Sequence, residues 1–230
     1  IHLREFAPSL SRYKEILRGG LPSLFRQGLG SVASICLNFA AGLYGDAAIA
    51  GMSIVTRVLQ FANSAVIGFG QGFQPVCSYC FGAGLYDRVK KACWFCIRVS
   101  TIILLVLSVI SFPAARSIIT LFRRNDPTVI EIGTLALRLQ LITLPLQGAV
   151  IMGNMMPQSI GYGFRATLVS TARQGIFLIP LLTIMTYTIG LLGIQCAQPL
   201  ADIATFILSL FVIRGIFKEF PEDASSFAAQ

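Results

Sequence analysis

The chain has 230 residues, of which 55% are hydrophobic and only 12% are charged, with a mean hydropathy of +0.74 and a net charge of +8. Soluble domains carry about 25% charged residues, so this composition excludes an ordinary soluble protein and indicates an integral membrane protein. The positive charge does not indicate a nucleic-acid partner, because the basic residues lie at the ends of apolar blocks and form no basic tail.

The first predicted element is a short amphipathic helix at residues 9–20. Its apolar residues recur at intervals of three and four on one face, and charged residues occupy the rest. We expect this helix to lie along the membrane surface at the end of a cytoplasmic linker, residues 1–20. A stop is predicted at Gly19 or Gly20, since glycine is the usual residue just past a helix end.

Six apolar blocks follow, and each is long enough to cross a hydrocarbon core of ~30 Å at about 1.5 Å per residue. The sequence therefore predicts an all-α membrane protein in which a six-transmembrane-helix bundle occupies residues 21–217 and a cytoplasmic tail occupies 218–230. The predicted spans are 21–43, 47–73, 92–112, 129–156, 167–189 and 193–213.

The distribution of Lys and Arg predicts the orientation of the spans. An even number of spans places both termini on one side, and that side carries far more basic residues than the other. Basic loops favour the cytoplasm, so both termini are predicted to be cytoplasmic. The basic residues on the predicted cytoplasmic side are Arg4, Arg12, Lys14, Arg18, Arg88, Lys90, Lys91, Arg165, Arg214 and Lys218; those on the other side are Arg116, Arg123 and Arg124.

The second block ends in an unusual run, Gly68–Gly84, which reads GFGQGFQPVCSYCFGAG. Gly, Gln and Pro here interrupt an apolar segment, and a broken backbone at membrane depth survives only against protein or a water-filled cavity. Interrupted spans of this kind are typical of transport pathways. We therefore expect a break in the second span, with Gln71, Gln74 and Pro75 contributing to a substrate cavity.

Three further polar residues lie within spans, namely Asn38, Asn63 and Gln147. Polar side chains that face lipid are costly, so we expect these to face inward. With aromatic and Met side chains of the first, second and fourth spans, they are predicted to line the cavity.

Three charged residues are predicted to lie near mid-membrane. Arg57 and Arg138 are ten or more residues inside spans, and Asp202 is the only carboxylate well inside any span. An unpaired charge at this depth costs several kcal/mol. We therefore expect Asp202 to pair with Arg57 or Arg138, either as a static ion pair or as a group that couples protons.

The cysteines form a CxxC pair at Cys77 and Cys80 and another at Cys93 and Cys96, a spacing that also occurs in zinc sites. Both pairs lie at the ends of apolar spans, where cysteine behaves as a small buried hydrophobe, so we expect no metal. The chain contains a single histidine, His2, and neither a P-loop nor a GxSxG motif. These features predict no enzyme activity and no cofactor.

The run Gly68–Gly84, followed by the segment 86–91 (YDRVKK), resembles the family of multidrug and toxic compound extrusion (MATE) transporters. Weaker similarities lie at 20–22 (GLP), at Arg57 and Arg138, and at 173–174 (RQ). The resemblance covers about residues 15–218.

The resemblance implies a twelve-helix protein with two six-helix lobes that exports organic cations in exchange for protons or sodium ions by alternating access. The chain looks like the C-terminal lobe. Its expected partners are membrane lipid, small organic cations, and either an N-terminal six-helix lobe of the same chain or a second copy; its expected location is the plasma membrane.

One feature departs from the family pattern. One branch of the family has acidic residues on the first and fourth helices of this lobe, but here the first span has none and Glu131 lies at the outer edge of the fourth. The coupling carboxylates are therefore expected outside these 230 residues. Two alternatives remain: a lipid-linked oligosaccharide flippase of the same superfamily, and a membrane scaffold subunit that transports nothing.

Overall fold

The computed structural model describes residues 10–124 and 126–220, and every regular element in these ranges is helical. The predicted linker before residue 10 and the predicted tail after residue 220 lie outside the described residues. The helices are α1 (Leu10–Gly42), α2 (Asp46–Gly82), α3 (Tyr86–Phe122), α4 (Pro127–Thr143), α5 (Leu146–Ser159), α6 (Gly163–Thr171), a π-helical segment (Ala172–Leu178), α7 (Ile179–Ile189) and α8 (Leu191–Glu219).

All six predicted spans are helical, but the first is longer than predicted. The expected surface helix and the first span form one continuous helix, α1, which passes through Gly19 and Gly20 without ending. The predicted stop there is wrong: α1 continues through Gly19, Gly20 and Pro22, although each glycine costs about 1 kcal/mol and a proline about 3 kcal/mol in a helix interior. A chain that enters the membrane gains from continued backbone hydrogen bonding, because lipid offers its N–H and C=O groups no partners.

The predicted break in the second span is also wrong. Helix α2 continues through Gly68, Gln71 and Pro75 to Gly82. A proline in a helix removes one hydrogen bond and does not have to end the helix when the surrounding contacts hold it.

The irregular backbone lies instead in the fourth and fifth spans. Between α4 and α5, the chain bends by 59° at a break around Pro145. In the fifth span, the segment Ala172–Leu178 is π-helical and joins α6 to α7. Short π-helical turns inside helices are frequent at functional sites.

Four helical stretches of the described chain are long and apolar enough to cross a membrane, and the bent pair α4 and α5 makes a fifth if it counts as one span. These four are Asp46–Gly82, Tyr86–Phe122, Gly163–Ile189 and Leu191–Glu219. Helix α1 is not among them, because Arg26, Gln27 and Asn38 interrupt its apolar run.

Two turns on one side of the bundle share a glycine with a positive φ. Gly84 has a φ of 73° and Gly161 has a φ of 85°, a conformation that other residues rarely adopt. After each glycine, the next N–H donates to the carbonyl five residues back, at 2.9 Å from Leu85 to Cys80 and at 2.9 Å from Tyr162 to Pro157. Both turns therefore end their helices with the glycine-based cap that satisfies a terminal carbonyl.

An aromatic cluster joins the end of α8 to the turn between α2 and α3. The ring of Phe220 lies 5.8 Å from Phe81, 5.2 Å from Tyr86 and 5.8 Å from Phe217, measured between centroids. Nearby, the guanidinium of Arg165 on α6 forms two hydrogen bonds with the carboxylate of Glu219 on α8. We name these contacts the α8 end clamp, because they hold the last helix against two turns of the bundle.

Small residues allow the helix backbones to approach closely, as is common within membranes. A Cβ built on Gly148 of α5 would meet the backbone N of Thr101 at 2.9 Å and the backbone C of Ser100 at 3.0 Å. Helices α3 and α5 are therefore packed with no room for a side chain at this point.

We predict that Gly148→Ala lowers the stability of the purified protein in detergent by about 1–3 kcal/mol, since backbone atoms of α3 must move to admit the methyl group. The measurement is the thermal transition of the monodisperse protein. The matched control is Gly215→Ala, whose Cβ would meet nothing within 4 Å. That change should keep or raise stability, because alanine is the better helix former. An equal effect of the two changes would contradict the close approach at Gly148.

Candidate functional site

Asp202 of α8 lies at the centre of a buried polar cluster. Its side chain is 2% exposed, and both carboxylate oxygens accept hydrogen bonds. Nε of Arg173 donates to Oδ1 at 2.9 Å, and Nε2 of Gln147 donates to Oδ2 at 2.8 Å. The three residues belong to three different spans, so this cluster, named here the Asp202 node, ties the fourth, fifth and sixth spans together.

Two of the three spans that contribute to the Asp202 node have an irregular backbone near the contributing residue, and the third has a proline close by. Gln147 lies in the first turn of α5, directly after the bend at Pro145. Arg173 lies in the π-helical segment. Asp202 follows Pro199, which has no N–H to donate within α8. Two of the helices therefore deviate from regular geometry close to the node, and π-helical turns are frequent at functional sites.

The predicted partners of Asp202 are wrong. Arg57 and Arg138 are both exposed, and the guanidinium carbon of Arg138 lies 5.6 Å from the centroid of the Phe112 ring. The actual partner is Arg173. Depth along the span had suggested Arg57 and Arg138, but their helices turn these side chains away from the bundle interior.

A signal for the correct pair was present in the sequence. Arg173 lies ten residues after the start of α6, and Asp202 lies eleven residues after the start of α8. These two spans run in opposite directions, so both residues lie near mid-membrane at about 1.5 Å per residue. Five basic residues lie within the predicted spans, namely Arg26, Arg57, Arg98, Arg138 and Arg173, and a comparison of depth over all five would have included Arg173.

A small cavity adjoins the Asp202 node between α2, α5, α6 and the π-helical segment. Its volume is about 80 Å³, enough for two or three water molecules and far below the several hundred Å³ of a drug site. Arg173 lines this cavity with 21% of its side chain exposed, so it links the buried carboxylate to the open space. The lining residues are Asn63, Ile67, Val150, Ile151, Asn154, Val169, Ser170, Arg173 and Gln174.

Asn154 fixes one wall of the cavity. Its Nδ2 donates to the carbonyl of Ala166 at 2.7 Å and to Oγ of Ser170 at 2.6 Å, which joins α5 to α6. On the opposite wall, Oδ1 of Asn63 is buried and accepts no hydrogen bond from the described residues. The cavity thus presents a guanidinium group and a free carbonyl oxygen. Neither Asn154 nor Ser170 was predicted from the sequence as a cavity residue.

The predicted cavity residues do not meet in one enclosed space. Asn63 alone lines the small cavity, and Gln147 is buried on Asp202. Asn38 on α1, and Gln71 and Pro75 on α2, are exposed. Gln74 is half-buried on α2.

The predicted Met lining is wrong for the fourth span. Met152, Met155 and Met156 are buried, with at most 2% of each residue exposed. A Cβ on Gly70 of α2 would meet the sulfur of Met155, so these methionines fill the contact between α2 and α5. They belong to the core because their unbranched side chains suit irregular gaps between helices.

Two exposed helix faces differ sharply in polarity. The exposed face of α2 includes five polar or small residues at helical spacing, which we name the α2 polar stripe: Arg57, Gln60, Ser64, Gly68 and Gln71. The exposed side chains of Phe61 and Ala65 lie beside them on the same face.

The exposed face of α3 is apolar over the same membrane depth. We name its members the α3 apolar stripe: Ile102, Leu105, Val106, Val109 and Ile110. Polar groups are costly against hydrocarbon and apolar groups are not. The α3 apolar stripe is therefore suited to lipid, whereas the α2 polar stripe is suited to water or to another protein surface.

The four cysteines of the two CxxC pairs are buried and free. In the described part of the chain, no three or more His, Cys, Asp or Glu side chains are grouped so that they could hold a metal ion. Cys77, Cys80, Cys93 and Cys96 instead belong to the hydrophobic core between α2 and α3.

Several buried amides lack partners among the described residues. Gln140 of α4 is 1% exposed, and neither its Oε1 nor its Nε2 makes a hydrogen bond. Gln147 and Gln195 each leave Oε1 without a partner, although their Nε2 groups donate to Asp202 and to the carbonyl of Ile132. Gln140 therefore carries the full cost of removing an amide from water, and Gln147 does not.

Known proteins resemble this chain in sequence. A protein-family model described as MatE matches residues 22–184. The chain is similar to the multidrug export protein MepA of Staphylococcus haemolyticus, with 26% identity over 225 residues that cover 98% of this chain and 49% of that protein. It is also similar to MepA of Staphylococcus saprophyticus, with 28% identity over 199 residues that cover 86% of this chain and 44% of that protein. The chain spans about half the length of the curated relatives it matches.

Solved structures share the fold. A MOP superfamily transporter from Pyrococcus furiosus matches with a TM-score of 0.88 and 23% identity, over 97% of this chain and 50% of that one. The outward-facing conformation of a multidrug resistance MATE family transporter matches with a TM-score of 0.87 and 23% identity, over 96% of this chain and 50% of that one. These likenesses confirm the predicted all-α membrane bundle as half of a MATE-type fold.

We predict that Arg173→Gln destabilises the purified protein by roughly 3 kcal/mol, because it leaves the buried carboxylate of Asp202 without a counter-ion. The double variant Arg173→Gln/Asp202→Asn should recover part of this loss, since it removes the uncompensated charge. Thermal unfolding of both variants measures the difference. Arg57→Gln, which changes an exposed arginine, is the control and should have no measurable effect. A double variant no more stable than Arg173→Gln would contradict the ion-pair explanation.

We predict opposite effects for the same substitution at two buried glutamines. Gln140→Met should keep or raise stability by up to about 2 kcal/mol, because it removes two unpaired polar atoms. Gln147→Met should lower it by about 1–3 kcal/mol, because Asp202 loses a donor. Both side chains are 1% exposed, so the pair is matched for burial. A loss of stability in Gln140→Met would show that this amide has a partner outside the described contacts.

Proposed function

The chain belongs to the MatE family, and on that basis we propose that it forms the C-terminal six-helix lobe of a transporter that exports organic cations and drugs in exchange for protons or sodium ions. Its curated relatives are multidrug export proteins of about twice this length. The observation that carries the proposal is the contrast between the α2 polar stripe and the α3 apolar stripe. A polar face on a membrane-spanning helix needs water or protein beside it.

The α2 polar stripe is proposed to line a central cleft between two lobes. The small cavity with Asn63 and Arg173 would be a recess in the wall of that cleft, since α2 contributes to both. Gln71 ends the α2 polar stripe, and Gln74 and Pro75 lie further along α2 and would extend the same wall. Asn38 on α1 would contribute from the neighbouring helix.

Exposed aromatic rings on α2 support organic cations as substrates. Phe61 is 84% exposed and Tyr79 is 75% exposed. Aromatic faces attract organic cations within about 6 Å of the ring centroid. Arg57 lies one helical turn from Phe61 and would repel a cation close to it, so we expect the substrate to lie nearer to Tyr79 than to Arg57.

The Asp202 node is proposed to hold the lobe together during transport and not to bind the coupling ion. Both oxygens of Asp202 already accept hydrogen bonds from Arg173 and Gln147. A sodium ion would have to displace the guanidinium, and a proton would leave Arg173 with an unbalanced charge. The coupling carboxylates are therefore proposed to lie in the other half of the full-length protein.

The proposed location is the plasma membrane, with both termini cytoplasmic. The support is the excess of Lys and Arg on the side that contains the turns at Gly84 and Gly161. The partners proposed with this topology are membrane lipid, organic cations and a second six-helix lobe, either in the same polypeptide or in a second copy.

The test is transport of ethidium by the full-length natural protein in inside-out vesicles from a bacterium without its own drug exporters. We expect uptake driven by a proton or sodium gradient, and a several-fold loss in Gln71→Leu at unchanged abundance. Val106→Leu, on the α3 apolar stripe, is the matched control and should transport normally. In the Asp202→Asn variant, the protein that still folds should show the same dependence of ethidium uptake on the proton or sodium gradient.

Each alternative has its own outcome in this test. Lack of ethidium uptake together with movement of a lipid-linked oligosaccharide would favour a flippase and overturn the exporter. Lack of any transport, with the Gln71 position inaccessible to water-soluble thiol reagents in a Gln71→Cys variant, would favour a scaffold. A change in coupling ion on Asp202→Asn would overturn the structural role of the Asp202 node.

A further inference from the structure

The first turns of α3 carry a basic and aromatic surface that the proposed transport cycle does not use. Lys91, Trp94, Phe95 and Arg98 recur at helical intervals of three and four residues, and all four are exposed. Together with Lys90, they line an open groove of about 580 Å³. We name the four residues the α3 basic stripe.

The opposite face of the same turns is buried in the bundle. Val89, Cys93 and Cys96 are buried in the core with α2. The α3 basic stripe therefore points away from the lobe.

The α3 basic stripe continues directly into the α3 apolar stripe. Arg98 is followed at helical spacing by Ile102, Leu105 and Val109, all of which are exposed. One face of α3 thus carries positive charge and a tryptophan at the helix end, and then only apolar side chains toward mid-membrane. Tryptophan is enriched at membrane–water interfaces, and basic groups near them attract anionic headgroups.

We propose that the α3 basic stripe binds an anionic phospholipid, with the phosphate between Lys91 and Arg98 and an acyl chain along the α3 apolar stripe. Lys91 and Arg98 are seven residues apart, or about 10 Å along the helix, a span that one headgroup can bridge. Lys90 contributes less, because its ammonium lies 4.0 Å from Asp87. Trp94 and Phe95 lie between these two basic residues along α3 and provide the aromatic contact at the membrane interface.

The test is native mass spectrometry of the full-length protein in detergent, titrated with phosphatidylglycerol or with phosphatidylcholine of the same acyl chains. We expect preferential binding of phosphatidylglycerol. Lys91→Gln/Arg98→Gln should weaken that binding by roughly 30-fold, since each basic residue near an anionic headgroup contributes about fivefold. If the double variant does not fold, Lys91→Gln alone should weaken binding about fivefold.

The matched control is Arg116→Gln/Arg124→Gln at the other end of the same helix. These arginines are exposed and line a groove of about 460 Å³ that contains no aromatic ring. Binding should be unchanged in this control. An equal loss in both double variants would mean attraction by net charge alone and would overturn a specific site. Competition by inorganic phosphate at millimolar concentration would likewise overturn the lipid assignment, because it would identify a soluble anion as the ligand.

A second measurement tests whether lipid or protein covers this face. In a version of the full-length protein that retains only Trp94, lipids brominated on their acyl chains should quench the fluorescence. Absence of quenching would place this face against protein and would overturn the proposal. Trp94→Phe, with the other tryptophans retained, identifies the part of the quenching that belongs to Trp94.

Discussion

The buried carboxylate of Asp202 is the group on which the arrangement of half the bundle depends. A charge inside a membrane protein must be paired and hydrogen-bonded, because neither lipid nor apolar side chains can replace water around it. Here the two donors come from Arg173 and Gln147, on two other spans. The fourth, fifth and sixth spans must therefore stay in register to within the length of a hydrogen bond.

The same constraint explains where the helices are irregular. If all three helices were regular, their side chains could meet at one point only if whole spans rotated or shifted along their axes. The bend at Pro145 and the π-helical segment each adjust the helix phase close to the Asp202 node. Helices α2 and α3 contribute nothing to the node, and each runs 37 residues without a break. The lobe thus combines long helices that present its surfaces with irregular helices that bring its polar groups together.

The helical state of the apolar blocks could be predicted from the sequence because apolar length is a local property. Breaks could not be predicted in the same way. Pro75 and Pro145 both lie in apolar runs, but the helix continues through Pro75 and bends at Pro145. Each proline removes one backbone hydrogen bond, and contacts with the neighbouring helices determine whether the helix tolerates that loss. The burial of Asp202 was predictable from its depth, but its partner depended on the rotation of each helix about its axis. That rotation placed Arg57 and Arg138 on outer faces and Arg173 inside.

The contrast between the faces of α2 and α3 also bears on how such a protein is assembled in the membrane. Between membrane helices there is no hydrophobic driving force, since lipid is as apolar as the side chains. A lobe that carries the α2 polar stripe is nevertheless poorly solvated by lipid on that one side. Covering this face with a second polar surface, or with the water held between two such surfaces, relieves that mismatch. The α2 polar stripe would then favour the association of a newly inserted bundle with another polar surface, whatever else that stripe does later.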